Sequence, residues 1–101
     1  FLDPKTQIGV ALFFKECLAN VIRHSGATHV QANLDATPKE LVLTVIDNGK
    51  GLPSKESGIA RLSPESLLRR ARLLRGTVVT TDRPEGGTCI TLRTKTKSWC
   101  L

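Results

Sequence analysis

Aromatic residues, cysteines and long apolar runs are all scarce in this chain, and each shortage closes off a class of function. Aromatics make up 4% of the 101 residues: one tryptophan, three phenylalanines and no tyrosine. A platform for single-stranded nucleic acid needs aromatic side chains interleaved with basic ones. The basic cluster Arg69, Arg70, Arg72 and Arg75 has none among it, so no nucleic-acid partner is expected. The three cysteines, Cys17, Cys89 and Cys100, are an odd number without metal-type spacing, either to each other or to the two histidines, His24 and His29. Free thiols in a reducing cytoplasm are the simplest reading. No apolar stretch is long enough to span a bilayer and no signal peptide opens the sequence, so a cytoplasmic location is expected, with any membrane anchor belonging to a longer parent protein. No low-complexity run points to disorder. What remains is a chain long enough for one domain with a real core. Its net charge of +6 suits an anionic partner, although surplus lysine and arginine also serve solubility.

The richest stretch is IGVALFFKECLANVI at residues 8–22. It is long enough for a helix and apolar around nearly its whole circumference, which predicts a buried element. At about 100° per residue, Gly9, Glu16, Asn20 and Arg23 fall in one narrow row. A carboxylate and a carboxamide spaced i,i+4 on a buried helix are costly unless occupied. They either cap neighbouring backbone groups or face a polar ligand. Asp3-Pro4 reads as an N-cap followed by a first-turn proline, and Ser25-Gly26 as the stop, so the helix is expected to run to about His24.

Alternation of Val30, Ala32 and Leu34 against His29, Gln31 and Asn33 predicts a half-buried strand. After a turn at 36–39, residues 41–46 (LVLTVI) are apolar on both faces and read as a central strand, with the two forming a hairpin. The second strand ends in DNGKGL at 47–52. A hairpin turn would explain DNG, but no strand pattern follows. Residues 53–63 read as a long loop, and long loops in compact domains are usually functional or disordered. A second helix is expected from Pro64 with Ser63 as its N-cap, Leu67, Leu68, Ala71 and Leu74 as its apolar stripe, and the four arginines on a solvated side. Gly76 ends it. Strands at 77–81 and 88–94 flank a turn at 82–87. The order α-β-β-α-β-β suggests helices layered on one face of a mixed sheet.

Three separated motifs in this order resemble one family. KECLANVIRHS at 15–25 is similar to the N box of sensor histidine kinases, DNGKGL to their first glycine box, and PEGGTCITL at 84–92 to their last glycine-threonine box. The chain resembles the ATP-binding catalytic domain of the gyrase, Hsp90, histidine kinase and MutL superfamily, with an N box worded like the nitrate-sensor branch. The resemblance implies an α+β fold, a two-layer α/β sandwich of the Bergerat type, spanning 1–101 as a fragment of a longer chain. It implies ATP and Mg²⁺ as cofactors. As partners it implies an adenine nucleotide, a dimerisation and phosphoacceptor domain of the same protein, and a downstream response regulator.

Carried over residue by residue, Asn20 would ligate the Mg²⁺ that bridges the phosphates, and Glu16 would be the catalytic acidic residue. Arg23 and His24 would stand near the phosphates. Asp47 would accept from the adenine amine, Gly49 and Gly51 would let the backbone approach the base, and Gly87 and Thr88 would close the adenine side. The family's second glycine box, whose amides hold the phosphates, is missing: residues 63–67 read SPESL. Weak ATP binding, hardly better than ADP, is therefore expected. The implied function is γ-phosphoryl donation to a histidine on a separate domain. Alternatives are a degenerate regulatory module that binds nucleotide weakly or not at all, and an ATP hydrolase with Glu16 as general base for water.

Overall fold

The computed structural model describes residues 3–49, 60–61 and 64–95. Helix α1 (Pro4–Asn20) begins where its sequence asks: Asp3 sits in extended backbone, its carboxylate accepts the Thr6 amide at 2.9 Å, and Pro4 has no N–H to satisfy. The α-helix stops at Asn20. A π-helical turn (Val21–Ser25) carries the chain on to Gly26, which closes it in the left-handed conformation at φ 64°.

The strands and second helix follow in the order β1 (Val30–Ala36), β2 (Glu40–Asp47), β3 (Ala60–Arg61), α2 (Glu65–Leu73), β4 (Thr77–Asp82) and β5 (Thr88–Lys95). They make one sheet, β1-β2-β5-β4-β3. Two helices on one sheet face give the two-layer sandwich that the motifs implied. The sheet is not mixed, however: every pairing among the described residues is antiparallel. Strands β2 and β4 do run in the same direction, as a strand-helix-strand crossover makes them, but β5 turns back from β4 and inserts between them. A parallel pair is thereby replaced by two antiparallel ones. The alternation of buried and half-buried residues along β2 and β5 sets Leu41, Leu43, Val45 and Asp47 opposite Thr94, Leu92, Ile90 and Thr88 on the helix-covered face.

Further expectations are corrected. The first helical stretch is not buried all round: Val10, Phe13 and Cys17 of α1, with Val21 of the π-helical turn, form the inward stripe, while Ile8 of α1 is 61% and Ile22 of the turn 81% exposed. A two-layer domain offers one sheet to cover one helix face, and nothing among the described residues covers the other. Strand β1 is exposed along its whole length rather than half-buried. Its Leu34 does point to the helix side, opposite Leu43, but the core lies under β2 and β5, and β1 extends past it. An open apolar groove of about 410 Å³ results, lined by Gln7, Val10, Ala11, Phe14, Ala32, Leu34 and Leu43. Part of the loop expected at 53–63 is strand β3, which pairs Ala60 with Thr81 and Arg61 with Thr80. Apart from 60–61, that loop lies outside the described residues.

Pro64 occupies the N-cap position of helix α2, and no side chain among the described residues caps it; Ser63, the expected cap, lies outside them. Its Leu67 and Ala71 are buried, with Leu74 packed against the same core. The helices meet closely because Gly9 has no side chain: a Cβ there would collide with Leu74 Cδ2. Burial pushes the Cys17 thiol up to about 12, with neighbouring Glu16 adding to the shift, so this cysteine behaves as a small hydrophobe. Among the described residues no helix is long and apolar enough to cross a membrane.

The one-sided burial of α1 is testable by a paired substitution. Phe13 is fully buried, so Phe13→Ala should cost about 3–5 kcal/mol. Ile22→Ala should stay within about 0.5 kcal/mol. Urea denaturation of the two variants checks this; a large loss for Ile22→Ala would mean that its exposed face packs on something in solution.

Candidate functional site

The end of the sheet where β2 stops carries the first group of expected residues. Asp47 is the last residue of β2 and pairs with Thr88, the first of β5; they are 3% and 5% exposed, both on the helix-covered face. Burying a carboxylate costs free energy unless something bonds to it. Here Oδ1 accepts the Gly49 amide at 2.8 Å, an Asx turn that bends the chain without making a hairpin. Among the described residues Oδ2 takes no hydrogen bond. Gly87, at φ +96°, packs flat against the Asp47 backbone, and a Cβ there would land on the Asp47 carbonyl oxygen. Asp47, Gly49, Gly87 and Thr88 therefore do come together. Gly51 lies outside the described residues.

Two residues at this end were not singled out by the sequence. In sequence Asn48 stands out only as the middle of DNG. Its Oδ1 accepts the Thr28 and His29 amides, each at 3.0 Å, and its Nδ2 donates to Thr28 Oγ1 at 2.9 Å. It clips the end of β2 to the segment that enters β1. Arg83, in the β4–β5 turn, donates from one guanidinium nitrogen to the Asp47 carbonyl at 3.3 Å, and from the other to Glu85 at 2.6 Å. The bond from Glu85's own backbone amide, and then Arg83, holds that exposed carboxyl below its usual range. No local pattern announces either contact, because the partners are 20 and 36 residues apart.

The second group sits on the last turn of α1. Asn20 Nδ2 donates to the Glu16 carbonyl at 3.0 Å. The backbone-capping alternative is realised through the amide nitrogen, while Oδ1 accepts only the longer contact from Arg23. Arg23 spans the row, 3.4 Å from Asn20 Oδ1 and 3.5 Å from Glu16 Oε2. Its side chain is 55% exposed, so this pairing is weak and breakable. His24 belongs to the π-helical turn that continues the row, and its side chain is outside the described residues. The two groups share one end of the sandwich, because the chain leaving α1 reaches Asn48 within a few residues, at Thr28 and His29. No cluster of three or more His, Cys, Asp or Glu side chains suited to a metal occurs among the described residues.

At the start of α2, where the family's phosphate-binding amides would stand, Leu67 and Leu68 both donate to the Pro64 carbonyl at 3.0 Å. Pro64 has no N–H, and the Glu65 carboxylate in the first turn pairs with Arg72 at 3.2 Å. The apolar groove beside β1 contains none of the expected site residues.

Comparison with known proteins places this geometry. Residues 5–98 match the family described as histidine kinase-, DNA gyrase B-, and HSP90-like ATPase. The signal transduction histidine-protein kinase/phosphatase DegS of Bacillus subtilis is 26% identical over 95 residues, 91% of this chain and 25% of DegS. The sensor histidine kinase YvfT of the same species is 29% identical over 55 residues, 54% of this chain and 15% of YvfT. The methanol utilization control sensor protein MoxY of Paracoccus denitrificans is 38% identical over 61 residues, 57% of this chain and 13% of MoxY. The chain thus spans a quarter or less of the length of these relatives. The crystal structure of the ATP-binding domain of PrrB from Mycobacterium tuberculosis superposes with a TM-score of 0.67 at 25% identity, over 90% of this chain and 69% of that one. The match over nearly all of the chain, with the three motifs brought to one end of a two-layer sandwich, makes this protein a member of the histidine kinase-, DNA gyrase B- and HSP90-like ATPase family, as an ATP-binding domain of the sensor histidine kinase type.

Proposed function

We propose that this domain binds an adenine nucleotide at the Asp47 end of the sheet and, within a longer parent chain covering the whole of 1–101 as one unit, donates the γ-phosphoryl group of ATP to a histidine on a separate dimerisation domain. The observation that carries the reading is Asp47: a buried carboxylate with one oxygen bonded to Gly49 and the other available, beside a glycine that holds its backbone. Oδ2 is the acceptor for the base amine, with Gly49, Gly51, Gly87 and Thr88 around the base. Asn20 presents a hard oxygen of the kind Mg²⁺ prefers, so the donor set fits that ion together with phosphate oxygens and water. The bound ion would neutralise phosphate charge. Arg23 turns from Glu16 and Asn20 to the phosphates, with His24 at the adjacent edge, and Glu16 is then released to position the acceptor or take its proton. A response regulator, in the cytoplasm, would receive the phosphoryl group in turn.

The engaged amides and Pro64 at the start of α2 support the second reading, a weakly binding regulatory module. Phosphates dock on helix N-termini through free amides and favourable dipole charge. Here Pro64 offers no amide, the Leu67 amide is turned to the Pro64 carbonyl, and a glutamate adds negative charge.

Three measurements test these readings. Asp47→Asn should weaken adenine nucleotide binding by about ten- to a hundredfold with little change in Tm; unchanged affinity removes Asp47 from the base site. Glu16→Gln should spare nucleotide binding yet abolish phosphotransfer when the dimerisation helices are supplied in trans, whereas Asn20→Asp should disturb the Mg²⁺-dependent part of binding. Full phosphotransfer by Glu16→Gln would pass the catalytic role elsewhere. Finally, calorimetric titrations should give weak ATP binding, within a few fold of ADP, and Pro64→Leu with Ser63→Gly and Ser66→Gly should strengthen ATP selectively. Micromolar ATP binding well above ADP in the unaltered domain would show that the triphosphate is held by other groups.

A further inference from the structure

The geometry points to Arg83 as a positioning residue that sets the nucleotide's base specificity by clamping the backbone of Asp47. This rests on the adenine-binding reading above. Three features meet at the last peptide of β2. The Asp47 carbonyl receives the Arg83 guanidinium at 3.3 Å, the Cα of Gly87 lies flat against that same carbonyl, and the Asp47 carboxylate turns back to the Gly49 amide. The β4–β5 turn is itself closed by Arg83, whose amide donates to the Gly87 carbonyl at 2.9 Å and whose carbonyl accepts from Gly86 at 3.0 Å. Arg83 therefore holds Gly87 with its backbone and Asp47 with its side chain, so one residue joins the two walls of the base site.

The guanidinium is steered by its second arm, which meets Glu85 at 2.6 Å, and by partial burial, since the side chain is only 27% exposed. Guanidinium geometry suits this double duty: two nitrogens of one planar fork address a carbonyl and a carboxylate at once, which a lysine ammonium on a flexible stem does far less rigidly. Strand pairing holds Asp47 against Val30 on one side and Thr88 on the other, and Asn48 ties the next residue to Thr28 and His29, but beyond that point the chain leaves the sheet. On the Thr88 side, the direction of the Asp47 carboxylate, on which recognition of a base amine depends, rests on what holds the carbonyl and on the Asx turn. A small displacement there loses a directional bond without unfolding anything.

The test compares Arg83→Met and Arg83→Lys with the unaltered domain, using ADP and IDP as probes. These nucleotides share their phosphates and differ at the base position that carries the amine in adenine. Loss of a positive charge near the phosphates weakens both equally, whereas a misdirected Asp47 lowers the ratio of their affinities. Arg83→Met should reduce the preference for ADP over IDP by about tenfold, with Arg83→Lys recovering part of it. In the absence of nucleotide, solvent exchange of the Gly49 amide should accelerate several fold in Arg83→Met while the core amides of Leu43 and Ile90 stay protected. An unchanged ADP/IDP ratio with unchanged Gly49 exchange overturns the assignment. Should the unaltered domain show no preference for ADP, the adenine-binding reading fails, and Gly49 exchange still decides whether Arg83 clamps Asp47.

Discussion

The pairing of β5 between β2 and β4 is the contact on which the rest of this domain depends. It sets Leu43 opposite Leu92 and Val45 opposite Ile90, the middle of the core on which both helices rest. The same register sets Asp47 opposite Thr88. A one-residue slip of β2 against β5 would turn Leu43, Val45 and Asp47 to the open face together, carrying the carboxylate out of the site along with the strand's core residues. Stability and site geometry are thus one constraint. The site can be built at the strand end because the strands behind it are held on both edges and covered on one face.

The polar row on α1 obeys a different economy. Glu16 and Asn20 stand one turn apart, flanking the buried stripe of their helix, and neither is left unsatisfied. The Asn20 amide nitrogen is bonded to the helix's own carbonyl, and Arg23 bridges the two side-chain oxygens at distances long enough to yield. Such a network keeps the two polar groups partnered through an arginine contact that is weak enough to exchange. The π-helical turn that follows widens the backbone where the row ends, a local distortion that recurs at functional sites.

At the opposite wall, α2 starts in a manner suited to helix stability and poorly suited to an anion. Glu65 complements the helix dipole and pairs with Arg72, and Pro64 accepts two amides. On the proposed reading, the start of α2 therefore offers a phosphate less than the Asp47 end offers a base. That inequality bears on nucleotide selectivity rather than on the fold, since α2 packs through Leu67, Ala71 and Leu74, whatever its first turn binds.

Much of this was legible in the residues alone. The N-cap at Asp3-Pro4, the left-handed stop at Gly26, the stripe on α2 and the positions of four strands follow from local rules that act within a few residues. The family motifs likewise carry their own spacing. Tertiary structure alone decided how far burial extends around α1 and β1, because exposure depends on how many layers cover an element and not on its own hydrophobicity. It decided that the sheet is antiparallel, since inserting the last strand between two earlier ones leaves no trace in the order of elements. It also decided the parts played by Asn48 and Arg83. Each looks like an ordinary turn residue in sequence, and each gains its partners only when folding brings the end of β2 against segments 20 and 36 residues away.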